Sequence, residues 1–371
     1  MSNFKRYTGE NVLEAAKRRI AYVFDEFDRV NVSISGGKDS TVLAHLALME
    51  AKRRGRKVGL FFLDEEVMYQ ATINQVEYLM TLEPEHTIRY WLQIPFHLTN
   101  AVSMTEPYVR CWDAKDKPRW MRKRSSQNIT RPCWTHETII ANKNIGLDFY
   151  DVIKNWQMSQ VGVPSLVGIR ADESLHRYGA VVKRKGYKDC FWSTMRPEGP
   201  TFYPLYDWSF MDIWHYIAEN KLRYHAYYDF GLKKGKHINM LRVSSLVHEH
   251  SFKDICELPE FEPETYQKLC NRIKGISHAQ ETAQDKKSFA CRKLPKAYKS
   301  WKEYRDFLLD HYPIEAHKAI FKKRFEKQLD NQYVHRQQCR QLICADYENN
   351  LPVDNKPDPR ELVIAKWREI L

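Results

Sequence analysis

No run in the sequence approaches the roughly 18 apolar residues that a bilayer-crossing helix needs, which argues against a helical membrane protein. Met1 to Glu10 are polar and lack the short apolar core of a secretory signal, so a cytoplasmic location is expected. None of the eight cysteines (Cys111, Cys133, Cys190, Cys256, Cys270, Cys291, Cys339 and Cys344) stands in a CxxC pair, and their spacing follows no ribbon or finger pattern. Free, buried thiols are the expectation for such a chain. The alternative is a metal held by Cys133, His136 and a distant Cys111 or Cys190. No internal repeat or low-complexity tract is visible.

What is present suits a large folded protein. The chain has 371 residues, 43% hydrophobic and 13% aromatic, enough to bury a sizeable core and to exclude disorder over most of its length. At roughly 150 residues per domain, about two domains are expected. Fifty-nine Lys and Arg against 47 Asp and Glu leave a net charge of +12, an excess that points to an anionic ligand such as a nucleotide or a nucleic acid. Residues 251–371 carry 23 basic and 19 acidic side chains, so most of the excess lies in the first 250 residues.

Apolar spacing predicts a helix over 10–27, a buried strand over 29–35, a helix to about Arg54 ended by Gly55, and a second strand over 58–64. A helix over 69–82 and a third strand over 86–94 follow. Periodicity fails from about 100 to 145. It resumes with a helix over 147–159 and a fourth strand over 164–170. A basic excursion to about 200 reads as a hairpin or loops. From 208 the pattern is mostly helical. The fold class is therefore α/β, a parallel sheet with helices on both faces, followed by a mainly helical C-terminal region. The boundary is placed at 250, giving domains 1–250 and 251–371, with insertions at about 100–145 and 176–200.

Ser35-Gly36-Gly37-Lys38-Asp39-Ser40 lies between the first predicted strand and the next helix. Its glycines let an anion approach backbone N–H groups with no Cβ in the way. The helix that follows offers unpaired amides and a positive dipole end. Ser35 and Ser40 supply hydroxyls, Lys38 a charge, and Asp39 a candidate Mg²⁺ ligand. The order differs from a Walker A loop, whose Lys immediately precedes Ser or Thr. The alternative is an ordinary glycine turn before a helix, against which the strand before and the helix after both argue.

The loop resembles the PP-loop of the ATP pyrophosphatases, in the branch that contains phosphoadenosine phosphosulfate (PAPS) reductase and the small subunit of ATP sulfurylase. Leu63-Asp64-Glu65-Glu66, Gly168-Ile169-Arg170-Ala171-Asp172-Glu173-Ser174, and Tyr203-Pro204-Leu205-Tyr206-Asp207-Trp208 with Asp212-Ile213-Trp214 resemble further motifs of that branch, in the same order. Met240 to Leu246 and Leu258 to Pro263 look like an uncharacterised subgroup of it that includes the YbdN-like proteins and the immunoglobulin-binding regulator A. The resemblance implies an adenine nucleotide alpha hydrolase-like fold. It further implies ATP, or a PAPS-like adenine nucleotide, bound with Mg²⁺ by Ser35, Gly36, Gly37, Lys38, Asp39, Ser40, Asp64, Arg170, Glu173 and Ser174. Lys38, Asp39 and Arg170 are the candidate catalytic residues. Asp64 as a helix cap and Glu173 as a surface residue are the plainer alternatives, and Asp207 with Trp208 reads as a cap and core pair.

The chain departs from the reductases in lacking a Glu-Cys-Gly-Leu-His segment, so thiol attack on sulfur is unsupported, and it has no adjacent cysteines for an iron–sulfur cluster. The expected activity is cleavage of ATP between the α- and β-phosphates with adenylylation of an unknown acceptor. The alternatives are a nucleotide-sensing or nucleic-acid-binding regulator without turnover and a sulfonucleotide enzyme of the PAPS reductase type. Arg110, Lys115, Lys117, Arg119, Arg122, Lys123, Arg124 and Arg131, interleaved with Trp112, Trp120 and Trp134, suit a nucleic-acid strand. A second basic cluster comprises Arg177, Lys183, Arg184, Lys185, Lys188 and Arg196. A solvated loop anchored by buried Trp side chains, or a partner protein, are the other readings. His248 and His250 flank Glu249 at a spacing unsuited to a metal pair on one helix face.

Overall fold

The computed structural model describes residues 9–103, 106–134, 146–182, 186–238, 241–243, 245–248, 252–277, 293–347, 349, 353, 363, 366–367 and 369–370. Helix α1 (Val12–Glu26) starts at Asn11, whose side chain accepts the Leu13 amide, and buries Ala16, Ile20, Val23 and Phe24 at the helical period. Strand β1 (Asn31–Ser33) leads into α2 (Lys38–Arg53). Strand β2 (Val58–Leu63) has all six side chains buried, as an apolar run covered on both faces requires. Next come α3 (Gln70–Thr81), β3 (Thr87–Leu92), and the strands β4 (Phe96–Thr99) and β5 (Tyr108–Cys111), which form a small two-stranded sheet. Helix α4 (Phe149–Ser159) opens on a reciprocal cap between Asp148 and Asp151. Strand β6 (Ser165–Val167), α5 (Leu175–Val182), β7 (Ser193–Arg196), β8 (Gly199–Phe202), α6 (Phe210–Glu219) and α7 (Tyr227–Lys233) follow.

The main sheet has the order β3-β2-β1-β6-β8-β7. Every neighbouring pair is parallel except β7 with β8. Val32 of β1 sits between Leu60 and Leu166, which fixes the register at the sheet's centre. From β1 the chain adds β2 and β3 on one side, and β6 and β8 on the other. Such a reversal opens a crevice at the carboxyl ends of the two central strands, here β1 and β6. The far edge of β3 is covered by the return of the long insertion, where Ile129 bridges Leu92 in parallel.

The basic excursion to residue 200 contains the expected hairpin, β7–β8, and in addition a helix, α5. Strand β8 joins the main sheet in parallel with β6. Gly199 and Pro200 within β8 hide its membership of the main sheet from a reading based on β-branched runs.

The chain divides into two compact units, one of residues 1–96, 111–114 and 122–243, the other of residues 97–110, 115–121 and 244–371. The second unit therefore takes in part of the stretch that carries no sequence periodicity. Its helices span Phe252–Phe261, Pro263–Arg272, Trp301–Asp310, Glu315–Phe325 and Gln332–Ile343, and Leu309, Phe321, Phe325 and Leu342 form a core within it. No helix among the described residues is long and apolar enough to cross a membrane.

Candidate functional site

The loop after β1 is built from small side chains because its neighbours leave no room for larger ones. Gly36 has φ of 75°, the left-handed region, and a Cβ there would lie 3.1 Å from Thr72 of α3. Gly37 is the N-cap of α2. The Ser40 hydroxyl receives the Ser35 amide at 3.2 Å and donates to the Gly37 carbonyl at 3.0 Å. Thr41 Oγ1 donates to the same carbonyl and accepts from Gln75 of α3 at 3.1 Å. The Lys38 amide is taken by the hydroxyl of Tyr228, from α7, at 3.2 Å. Among the described residues no acceptor meets the amides of Gly36, Asp39 and Ser40, so three N–H groups remain open at the positive end of α2.

Two nearly buried cations converge there. Lys38 is 4% exposed and Arg170 3%. Lys38 Nζ donates to Asp39 Oδ2 at 2.9 Å and lies over the rings of Phe210 and Tyr228 at 5.4 and 5.6 Å. Arg170, just beyond β6, donates from Nε to Asp39 Oδ1 at 2.5 Å and from Nη1 to Asp172 Oδ1 at 2.6 Å, with Glu173 3.6 Å from Nη2. The end of β6 presses directly on α2, since a Cβ on Gly168 would meet the Asp39 carbonyl oxygen at 3.1 Å.

The structure thus brings together Ser35, Gly36, Gly37, Lys38, Asp39, Ser40, Arg170 and Glu173. Glu173 also pairs with Arg177 at 2.6 Å. Ser174 faces its own helix, accepting the Arg177 amide at 3.2 Å. Asp64 is fully buried and committed elsewhere. Its Oδ1 accepts from the Glu66 amide and from Arg122, and its Oδ2 from Trp91 Nε1 at 2.8 Å and Gln93 Nε2 at 3.0 Å. Asp172 and Tyr228 belong to the site but are not among the expected site residues, Asp172 standing only within the quoted motif. A β-branched or glycine signal does not mark either, and Tyr228 is 190 residues from its partner.

Neither carboxylate fits a resting Mg²⁺. Each oxygen of Asp39 already pairs with a cation whose charge opposes a second one beside it. The oxygens of Asp64 accept four hydrogen bonds, which fills a carboxylate's lone-pair sites. Among the described residues, no three His, Cys, Asp or Glu side chains form a metal-binding group. Cys111 is buried and donates to the Glu65 carbonyl at 3.0 Å, whereas Cys133 is exposed. His136 lies outside the described residues, as do Lys183, Arg184, Lys185, Glu249 and His250. Cys339 and Cys344 are buried.

Two of the three tryptophans anchor the basic, aromatic insertion, Trp120 being half-buried. Trp112 is fully buried, its indole N–H on the Asp64 carbonyl at 2.7 Å and its amide on the Glu66 carboxylate at 2.7 Å. The guanidinium groups of Arg122 and Arg124 lie 5.2 and 5.6 Å from its ring. Burial pulls the Arg124 guanidinium below its ordinary pKa, with Glu66 and Asp64 opposing. Trp134 is buried as well, so neither ring is presented as a base-stacking surface. Asp207 is not a cap: it holds Arg19 of α1 through two bonds of 2.8 and 2.7 Å, and Ser209 caps α6.

A glycine loop feeding a helix at the switch point of a parallel sheet, with buried cations beside it, defines a PP-loop α/β protein. The family model described as the phosphoadenosine phosphosulfate reductase domain matches residues 29–273, and the chain belongs to that family. A second model, a domain of unknown function (DUF3440), matches residues 235–338. The uncharacterized protein YbdN of Escherichia coli is 29% identical over 324 residues, covering 84% of this chain and 78% of its own. Among solved structures, PAPS reductase from Candida auris is similar at 14% identity and a TM-score of 0.35, covering 61% of this chain and 94% of its own. FMN adenylyltransferase from Candida glabrata is similar at 15% identity and a TM-score of 0.35, covering 62% and 65%. The U34-tRNA thiolase NcsA from Methanococcus maripaludis, described with its [4Fe-4S] cluster, is similar at 12% identity and a TM-score of 0.33, covering 78% and 85%.

Proposed function

We propose that the chain binds an adenine nucleotide, ATP in the first instance, with its β- and γ-phosphates on residues 35–40, and cleaves it between the α- and β-phosphates. The observation that carries this reading is the convergence of Lys38 and Arg170, both nearly buried, on the Asp39 carboxylate in the same loop as three open amides. Buried cations and unpaired amides together favour a multiply charged anion. The family's name refers to a nucleotide built on adenosine, which supports adenine as the base.

In the proposed reaction a nucleophilic atom of the acceptor attacks the α-phosphorus. The bond from that phosphorus to the bridging oxygen breaks, and pyrophosphate leaves with the electron pair. The acceptor's proton passes to solvent. The amides of Gly36, Asp39 and Ser40 and the charges of Lys38 and Arg170 stabilise the charge gathering on the leaving pyrophosphate. Arg170 can offer two parallel N–H groups to one phosphate. No step is assigned to a metal.

The test uses Lys38→Met, which keeps the apolar length between Phe210 and Tyr228. Losing a charged hydrogen bond of about 1.5–3 kcal/mol should weaken ATP about tenfold to a hundredfold in calorimetry. Incubation of the wild type with α-labelled ATP and candidate acceptors should release pyrophosphate. Wild-type protein that binds no adenine nucleotide overturns the reading.

A further inference from the structure

We propose that Asp39 is an internal counter-anion of the loop, seated where a ligand's phosphate oxygens will go and displaced when they arrive. This rests on the nucleotide reading above. The Asp39 carboxylate bridges the two cations, one oxygen on Lys38 Nζ at 2.9 Å and the other on Arg170 Nε at 2.5 Å. The two cationic side chains are 5% and 4% exposed, whereas Asp39 is 16% exposed. The carboxylate is therefore the member of the trio that an entering ligand meets first.

Its position on the helix supports the same role. Asp39 is the second residue of α2, where the helix dipole favours negative charge. The carboxylate thus occupies the electrostatic seat of an anion from within the chain. The dependence of the two cations on it is unequal. Arg170 keeps Asp172 at 2.6 Å and Glu173 at 3.6 Å if Asp39 leaves. For Lys38 the only ion pair among the described residues is with Asp39, its other neighbours including the faces of Phe210 and Tyr228. A buried ammonium without a counter-ion is costly, so Lys38 stays bound to Asp39 until another anion replaces it.

Two consequences separate this role from that of a standing metal ligand. In the absence of metal, the Asp39 charge opposes an incoming phosphate at close range. A divalent cation alone meets the charges of Lys38 and Arg170 at the Asp39 oxygens. Both follow from the same two hydrogen bonds.

The experiment is titration calorimetry of the full chain with inorganic pyrophosphate in buffer containing a chelator, repeated with ATP, and then with MgCl₂ alone. Asp39→Asn removes the charge at constant shape, and Asp39→Ser gives a second neutral variant should the first fold poorly. Removing one like charge a few ångströms from the phosphates is expected to tighten pyrophosphate about tenfold in metal-free buffer, and MgCl₂ alone should give no binding heat with the wild type. Neutral variants that bind pyrophosphate no more tightly than a wild type that does bind ATP overturn the counter-anion role and leave the nucleotide reading standing. Magnesium binding by the wild type that disappears in Asp39→Asn also overturns it. A wild type and variants that bind neither ATP nor pyrophosphate overturn both.

Discussion

Replacing Asp64 with Asn separates an architectural carboxylate from a ligand-binding one. Asp64 is fully buried, and both its oxygens face donors: the Glu66 amide at 2.9 Å and Arg122 on one, Trp91 Nε1 at 2.8 Å and Gln93 Nε2 at 3.0 Å on the other. An amide keeps one acceptor oxygen and turns a donating NH₂ toward two donors, whichever way it flips. The Arg122 side chain, 15% exposed, loses its carboxylate at the same time. Breaking a buried pair by removing one partner costs about 3–5 kcal/mol. With a urea dependence of about 2.5 kcal/mol per molar for a unit of this size, the midpoint should fall by about 1–2 M. Tryptophan emission should shift to the red as Trp112 loosens between Arg122 and Arg124. In an Arg122→Met background the same Asp64→Asn change should be smaller, because no charge is then stranded; the cycle isolates the pair. An Asp64→Asn protein that unfolds at the wild-type urea concentration yet no longer binds nucleotide would refute the reasoning and return Asp64 to the ligand.

Gly168→Ala probes the contact between β6 and α2. The added methyl would stand 3.1 Å from the Asp39 carbonyl oxygen and 3.3 Å from the Ser40 amide nitrogen, so the first turn of α2 must shift by a few tenths of an ångström. Overpacking of this kind costs about 1–3 kcal/mol. Pyrophosphate affinity measured by calorimetry should fall, and an unchanged affinity would mean that the ligand does not use that turn. His225 supplies a pH dependence. Its Nδ1 accepts the Tyr227 amide at 3.2 Å and its Nε2 meets Thr72 Oγ1 at 3.0 Å, so the ring is held neutral, and burial pulls its pKa down to about 3. The unfolded chain takes up a proton near pH 6.5 that the folded chain refuses. The stability from this group is therefore complete above about pH 6.5 and declines by about 1.4 kcal/mol per unit as pH falls toward 3. Urea midpoints at pH 7, 6 and 5 should fall more steeply for the wild type than for His225→Gln, and parallel slopes would contradict this.

What the sequence made legible follows the range over which each feature is encoded. Helices α1 to α4 and strands β1, β2, β3 and β6 are written in local apolar spacing, and each appears close to its expected position. The loop at 35–40 is likewise local, since two glycines between an apolar strand and an amphipathic helix have few other uses. Arg170 is brought to it by a parallel pairing of β1 with β6, which apolar strand patterns imply. A hairpin was expected where β7 and β8 lie, but not the place of β8 in the main sheet, because that depends on pairing with β6 rather than on its own composition. Tyr228 was missed for a related reason, as its hydroxyl reaches the Lys38 amide from a helix beyond the fold's repeating pattern.

The carboxylates show where residue type alone is insufficient. Asp39 and Asp64 stand at corresponding places, each near the carboxyl end of a central strand, and both resemble ligand-binding positions. A carboxylate binds what its oxygens can reach, and that depends on the donors already present. Asp64 is surrounded by side chains from β3 and the insertion, which turn it into the anchor of Arg122. Among the described residues the Asp39 carboxylate pairs with two cations that a phosphate could also satisfy, so in the proposed exchange no buried charge is left unpaired. The difference between an anchor and an exchangeable counter-ion therefore lies in what the donors would meet next. For Asp64 the Trp91 and Gln93 donors are buried along with it, and for Asp39 the donors would meet the phosphates of the proposed nucleotide.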